Sequence, residues 1–100
     1  MTKGEKSEII KKRVMNARKK QDDRQQKTND QLSTQEIKEH CNLSDNDKRF
    51  LYHAIDKLGL SGRAYDRILK TARTIADIAG KKNIEKKHLS EAINFRSFDR

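Results

Sequence analysis

The sequence predicts an all-α fold, a small bundle of four to five helices, and three observations carry that expectation. One hundred residues contain no Pro and only four Gly, so few positions break a helix. The bulk is Lys, Arg, Ile, Leu, Ala, Asp and Gln, a mixture helices tolerate; sheets draw on Val, Thr and aromatics, and aromatics make up 5%. Apolar residues recur at helical spacing in several separate segments.

The first helix is expected from about Glu5 to Gln26. Ile9, Ile10, Val14 and Ala17 recur at helical spacing. After Ala17 the stretch Arg18-Lys-Lys-Gln-Asp-Asp-Arg-Gln-Gln26 has helix propensity and no apolar face. Such a segment needs an outside partner to stay ordered, because helices draw most of their stability from packing. Residues 27–31 are polar and read as a loop.

Ser33-Thr-Gln-Glu36 fits a capping box and starts a short helix to about Cys41, with Leu32, Ile37 and Cys41 inward. Ser44-Asp-Asn-Asp47 starts the next, over about Asp45–Leu58. Phe50, Leu51, Ala54, Ile55 and Leu58 form its stripe, and Gly59 stops it. Ser61 is expected to cap the central helix, Gly62 to Ala79, which Gly80 ends. Its inner face is Tyr65, Ile68, Leu69, Ala72, Ile75, Ala76 and Ala79. Ile84 is a buried plug. The last helix runs from Glu85 or Lys86 to Asn94, with Leu89, Ala92 and Ile93 inward. Phe95 and Phe98 are expected to anchor the tail.

Length and charge bound the function. A chain of this size makes one domain with a modest core, too little for an NTPase fold plus anything else. Charged residues are 39% and the formal charge is +9. Both halves contribute: 10 basic and 5 acidic residues up to Gln31, and 14 and 10 beyond. An anionic partner is therefore plausible, and a basic surface that only keeps a small domain soluble is the plain alternative. Cys41 is the one cysteine, so no internal disulfide forms. With His40, His53 and His88 it gives no metal-ligand spacing. Cys41 is expected to be a small core residue, and His53 and His88 surface or packing residues. A reducing cytoplasm fits. No run approaches the about 20 apolar residues of a membrane span, and no signal peptide follows Met1.

Catalytic signatures are missing. There is no GxxxxGK[ST], no apolar strand ending in paired acids, no GxSxG, no HExxH and no EF-hand loop. Adjacent His40 and Cys41 would point about 100° apart on a helix, poor geometry for a base and a nucleophile. No catalysis is expected from this chain alone.

The informative stretch is Gly59-Leu-Ser-Gly-Arg-Ala-Tyr-Asp-Arg67. Arg63 falls in the first turn of the central helix and Arg67 one turn later on the same side. Helix amides and two guanidinium groups would together grip phosphate oxygens. Alternatively both arginines only cover a helix surface, paired with Asp66 or Asp77. Arg73 and Asp77, also i and i+4, read as a surface ion pair worth a few tenths of a kcal/mol.

Residues 60–80, then Ile84, His88-Leu-Ser-Glu-Ala-Ile93 and Phe95-Arg96, closely resemble the C-terminal domain of Mg-chelatase-like AAA+ ATPases, nearest to the bacterial ComM/YifB type. Arg13-Val14, Ala17-Arg18, Gln21, Arg24, Asn29, Leu32 and Cys41-Asn-Leu43 fit the same pattern. The resemblance implies a helical lid that follows a P-loop core, with a sensor-2 arginine in an S-x-R-A context. That context falls on Ser61-Gly-Arg63-Ala, so Arg63 is the implied ATP-phosphate contact, with Ser61 beside it and Arg67 a second contact. It further implies ATP and Mg²⁺ in the full-length protein, with neither expected on this domain alone. The implied partners are the AAA+ core of the same protein, a homo-oligomeric ring (a hexamer), and DNA in competence or recombination. Magnesium chelatases themselves act on protoporphyrin; the ComM-like block favours DNA.

The expected division is a basic helix and connector over 1–31 and a lid over 32–100. The first helix has two readings: a connector packed on the ATPase core, or a contact to DNA phosphates through Lys11, Lys12, Arg18, Lys19 and Lys20. Two other functions stay open, a stand-alone basic helical nucleic-acid binder and a ring-assembly interaction module.

Overall fold

The structure, a computed structural model, describes residues 3–97 and the side chains of 7–95. Five α-helices follow in order: α1 (Lys3–Gln25), α2 (Thr34–His40), α3 (Asp45–Leu58), α4 (Arg63–Ile78) and α5 (Lys86–Ser97). A single 3-10 turn, Asn29–Gln31, lies between α1 and α2, and no strand occurs among the described residues. The all-α expectation holds. α4 is the central helix: every other helix packs on it, and α3 also touches α5.

Local chemistry sets the boundaries. The capping box forms: Ser33 Oγ accepts from the Glu36 amide at 3.2 Å, and Glu36 Oε1 accepts from the Ser33 amide at 2.9 Å. Lys27 Nζ reaches the same Glu36 oxygen at 2.9 Å. The Ser33 amide first, then Lys27, hold the Glu36 carboxyl down at about 2, from an ordinary 4.5. A depressed folded value means that this contribution to stability is fully present above pH 4.5 and fades as the pH falls toward 2. Ser33→Ala is expected to cost about 1 kcal/mol in urea unfolding at neutral pH. Most of that difference should persist when unfolding is repeated near pH 2, because the bond lost is from the Glu36 amide to the Ser33 hydroxyl and does not titrate, while the Glu36 carboxylate bonds the Ser33 backbone amide that alanine keeps.

Ser44 Oγ caps α3 by accepting from the Asp47 amide at 3.2 Å. Gly59 ends α3 with φ at 65°, a left-handed conformation glycine adopts without penalty. Its amide donates to Asp56 O and the Leu60 amide to Ile55 O, which satisfies the last carbonyls. Gly80, with φ at 73°, ends α4 in the same way through Gly80 N–H to Asp77 O and Lys81 N–H to Ala76 O. At the start of α5 the Glu85 amide donates to His88 Nδ1 at 2.9 Å, a histidine reaching back as a cap. His88 is buried, and burial pushes its pKa down.

The core is the set the periodicity picks out. Leu51, Ile68, Ala72, Ala76, Leu89 and Ala92 are fully shielded from solvent, and Leu32, Ile37, Cys41, Ala64, Leu69, Ile84 and Ile93 nearly so. Tyr52 of α3 stacks on Tyr65 of α4 with ring centroids 4.8 Å apart, and Lys86 Nζ lies 4.8 Å above the Phe50 ring. Aromatic and cation–π pairs like these add about 1 kcal/mol each to the packing.

Ile9, Ile10 and Val14 are 43%, 51% and 38% exposed, and among the apolar residues of α1 only Ala17 is buried. Three expectations need correction. Ala79 lies outside α4 as its C-cap and is exposed, because the helix has already closed. Phe95 continues α5 and is 65% exposed instead of anchoring a tail; Phe98 falls outside the described residues. Leu58, expected in the α3 stripe, is 37% exposed at the end of that helix.

Candidate functional site at the two ends of helix α4

α4 presents polar chemistry at both ends. At its start, Ser61, Gly62, Arg63 and Arg67 are exposed. Ser61 does not cap. Gly62 is the N-cap, in right-handed helical conformation, and no side chain bonds the first-turn amides. Because Gly62 is already helical, the chain closes earlier, and Ser61 contributes its carbonyl to the Ala64 amide at 2.9 Å. Arg63 is the first residue of α4. Among the described residues neither it nor Arg67 is held by a carboxylate. Asp66 accepts from Thr34 Oγ1 at 3.4 Å, and Asp77 is engaged at the other end of the helix. Two guanidiniums thus stand free on a helix whose opposite face, from Ala64 to Ala76, is sealed in the core. That combination fixes the arginine backbone while leaving the side chains open to an external anion.

At the far end lies a network that spacing alone did not disclose. Arg73 and Asp77 are not a surface pair; they are 4% and 2% exposed. Asp77 Oδ1 accepts from Arg73 Nε and from Arg24 Nη1, each at 3.1 Å. Its Oδ2 accepts from Arg24 Nη2 at 3.2 Å and from Asn29 Nδ2 at 3.0 Å. Asn29, 1% exposed, is filled on every side. Its Oδ1 accepts from Gln25 Nε2 at 2.7 Å and Arg24 Nη2 at 3.1 Å, its amide donates to Gln21 Oε1 at 3.0 Å, and its Nδ2 also reaches Thr74 Oγ1. Arg73 uses its remaining donors on Lys82 O (3.0 Å) and Lys81 O (2.9 Å). Burial pulls the Arg73 pKa down, and Asp77 opposes that.

This explains the polar half of α1. Ala17, Gln21 and Gln25, spaced by four, are its buried face; Gln21 and Gln25 bond Asn29, Asn29 in turn bonds Thr74 and Asp77 of α4, and Arg24 reaches Asp77 directly. The outside partner that the stretch after Ala17 requires is α4 itself. The 27–31 loop tucks Asn29 beneath it, and Gln26 turns the chain with a left-handed φ of 57°. Satisfied buried networks specify one arrangement because every member has a single place to go.

Cys41 is a core thiol. Desolvation raises it to about 11, with Arg73 and Arg24 pulling the other way. About one molecule in a thousand would carry the thiolate at pH 8. A thiol reagent is expected to modify Cys41 only at the rate of unfolding; rapid labelling of the native chain would contradict its burial.

Lys11, Lys12, Arg18, Lys19 and Lys20 are all exposed. The structure brings Lys20, and next to it Lys19, to one groove with the α4–α5 turn, while Arg18 lines a separate groove against Thr71 and Thr74. Among the described residues no three His, Cys, Asp or Glu side chains gather as a metal set, and no helix is long and apolar enough to cross a membrane.

The profile of the family described as magnesium chelatase, subunit ChlI C-terminal, matches residues 4–96. The chain belongs to this family. Protein YifB of Salmonella typhimurium is 46% identical over 99 residues, which cover 99% of the chain and 20% of that protein. Competence protein ComM of Haemophilus influenzae is 45% identical over 97 residues, 97% of the chain and 19% of ComM. Escherichia coli YifB is 46% identical over the same length, 97% of the chain and 19% of that protein. The chain thus spans about one fifth of the length of these relatives. No solved structure matches it. Within the Mg-chelatase C-terminal family, the residues of the buried network belong to the same segment as the core, since the match runs unbroken from the start of α1 through α5.

Proposed function

We propose that the chain is the helical lid of a ring-forming AAA+ ATPase of the ComM/YifB type, with Arg63 as its nucleotide-sensing residue. The observation that carries this reading is the free guanidinium at the first position of a helix whose other face is the core. Arg63 would donate to ATP phosphate oxygens that the P-loop core presents, with Arg67 one turn behind. Ser61 shapes the turn through its carbonyl and stands exposed beside Arg63, where its hydroxyl would add a further phosphate contact. Guanidinium placed where charge develops stabilises phosphoryl transfer, and tying that contact to a rigid lid couples the nucleotide state to lid position. Bound ATP and Mg²⁺ supply the phosphoryl chemistry. The carboxylates for Mg²⁺ would belong to the core.

The bare stripe of Ile9, Ile10 and Val14 supports a connector role for the front of α1. An apolar stripe at helical spacing is stabilised when covered, and the reading assigns the ATPase core as its cover. It also places the protein in the cytoplasm, as a homo-oligomeric, hexameric ring acting on DNA, in keeping with the name of the competence protein it resembles. The test is ATP hydrolysis by the full-length protein carrying Arg63→Ala. A loss of about tenfold or more with the fold intact supports the reading; an unchanged rate overturns it.

A further inference from the structure

We infer that the groove between the second half of α1 and the α4–α5 turn is a phosphate-binding site, separate from the Arg63 end of α4. It is a depression of about 420 Å³ walled by Lys20, Arg24, Arg73, Lys81 and Lys82, with Asp23 and Asp77 as its acids. An adjoining depression of about 300 Å³ shares Lys20, Asp23, Asp77 and Gly80, and adds Arg13 and Lys19. Together they hold seven cationic and two acidic side chains, an excess of five. The whole chain carries an excess of nine. The two adjoining depressions together therefore carry an excess equal to more than half of the net charge, a concentration that solubility alone does not require.

The floor is built and not merely crowded. One carboxylate, Asp77, serves two guanidiniums, the buried Arg73 and the half-buried Arg24, so the floor of the groove carries one more guanidinium than carboxylate. Removing charge from water is costly unless it is paired, and an anion in the groove completes the pairing. Arg73 draws the carbonyls of Lys81 and Lys82 inward, which fixes the turn that carries the two exposed lysines. Across the groove, Lys20 Nζ lies 3.8 Å from where a Cβ on Gly80 would stand, so a lysine of α1 leans directly over that turn. The α4 C-terminus contributes about half a negative charge against an anion; the excess of five cations outweighs it.

The chemistry recognised is the phosphate group, whether on a polynucleotide backbone or a free polyphosphate. The experiment measures fluorescence anisotropy of a labelled single-stranded oligonucleotide of about 16 nucleotides, titrated with the 100-residue chain between about 50 and about 200 mM salt. Tripolyphosphate serves as competitor. The groove variant is Lys20→Glu/Lys81→Glu/Lys82→Glu, and the charge-matched control is Lys38→Glu/Lys48→Glu/Lys57→Glu; all six lysines are exposed. The groove variant is expected to weaken oligonucleotide binding at least about tenfold and to flatten the salt dependence, while the control stays within about threefold. The Lys→Gln form of the groove variant, gentler on folding, should show a smaller loss in the same direction. Tight oligonucleotide binding that tripolyphosphate scarcely displaces marks a polynucleotide site; displacement at comparable concentration marks a free-phosphate site, and either supports the inference. Equal losses in groove and control variants overturn it, as does failure of the wild-type chain to bind either probe at about 50 mM salt. The nucleotide-sensing reading is tested by ATP hydrolysis of the full-length protein and this one by oligonucleotide binding of the groove variant against its control, so the two can fail separately.

Discussion

Asp77→Ala is expected to destabilise the chain by about 3–5 kcal/mol, the largest effect of any single substitution at a polar position. A domain of this size has roughly 5–15 kcal/mol in total, so the variant would sit near the edge of folding. The cost does not come from a lost pair as such. Buried ion pairs replaced whole by apolar residues are often neutral; removing one partner leaves the other charged and unsolvated. Here the loss takes the one carboxylate from the buried Arg73 and the half-buried Arg24, and an acceptor from Asn29. Urea unfolding followed by circular dichroism gives the number, and a change under about 1 kcal/mol would contradict the network's role. Asp77→Asn, which keeps an acceptor but no charge, should fall between the two. Hydrogen exchange should show the loss first in residues 17–31, because the face of α1 that docks there is held by Gln21, Arg24, Gln25 and Asn29.

Arg63→Ala is expected to cut ATP hydrolysis by the full-length protein about tenfold or more while leaving its fold alone. Loss of one preorganised charged donor to a transition state costs about 10²–10³ in rate in well-studied cases, and tenfold is the floor for a donor that acts from a movable lid. The fold should be untouched because Arg63 is exposed and engages no described carboxylate. Arg63→Lys should recover only part of the rate, since a lysine offers a point charge where a guanidinium offers a planar fork. Arg67→Ala should fall less, being one turn farther from the helix start. The 100-residue chain alone is expected to bind ATP weakly and to hydrolyse none; micromolar affinity with turnover would contradict the division of labour.

The apolar part of this fold was legible in the sequence and the polar part was not. Leu51, Ile68, Ala72, Ala76 and Leu89 announce themselves by period, because burial of apolar surface at fixed spacing is a pattern a single chain displays. Ser33, Ser44, Gly59 and Gly80 announce the helix ends through local chemistry. The network is different. Gln21, Arg24 and Asn29 lie far along the chain from Asp77, and each alone looks like a solvated residue. Hydrogen-bond partners 48 and 53 residues away leave no period to read. The signal that was present is the family resemblance, which carried Gln21, Arg24 and Asn29 without saying why. Ser61 failed as a cap for a related reason: a glycine in helical conformation just after it moved the helix start by one residue. At the candidate site, Arg63 and Arg67 stood where the spacing put them, on one exposed side. The partners of Lys20 across the groove, Lys81 and Lys82, emerged only from the fold.

One preparation answers the central question: full-length Arg63→Ala protein, with hydrolysis at saturating ATP and thermal unfolding measured on the same sample. The account requires the rate to drop about tenfold or more with unfolding shifted by no more than about 0.5 kcal/mol. An unchanged rate, or a rate that falls only in step with lost stability, would mean that the guanidinium at the head of α4 senses no nucleotide.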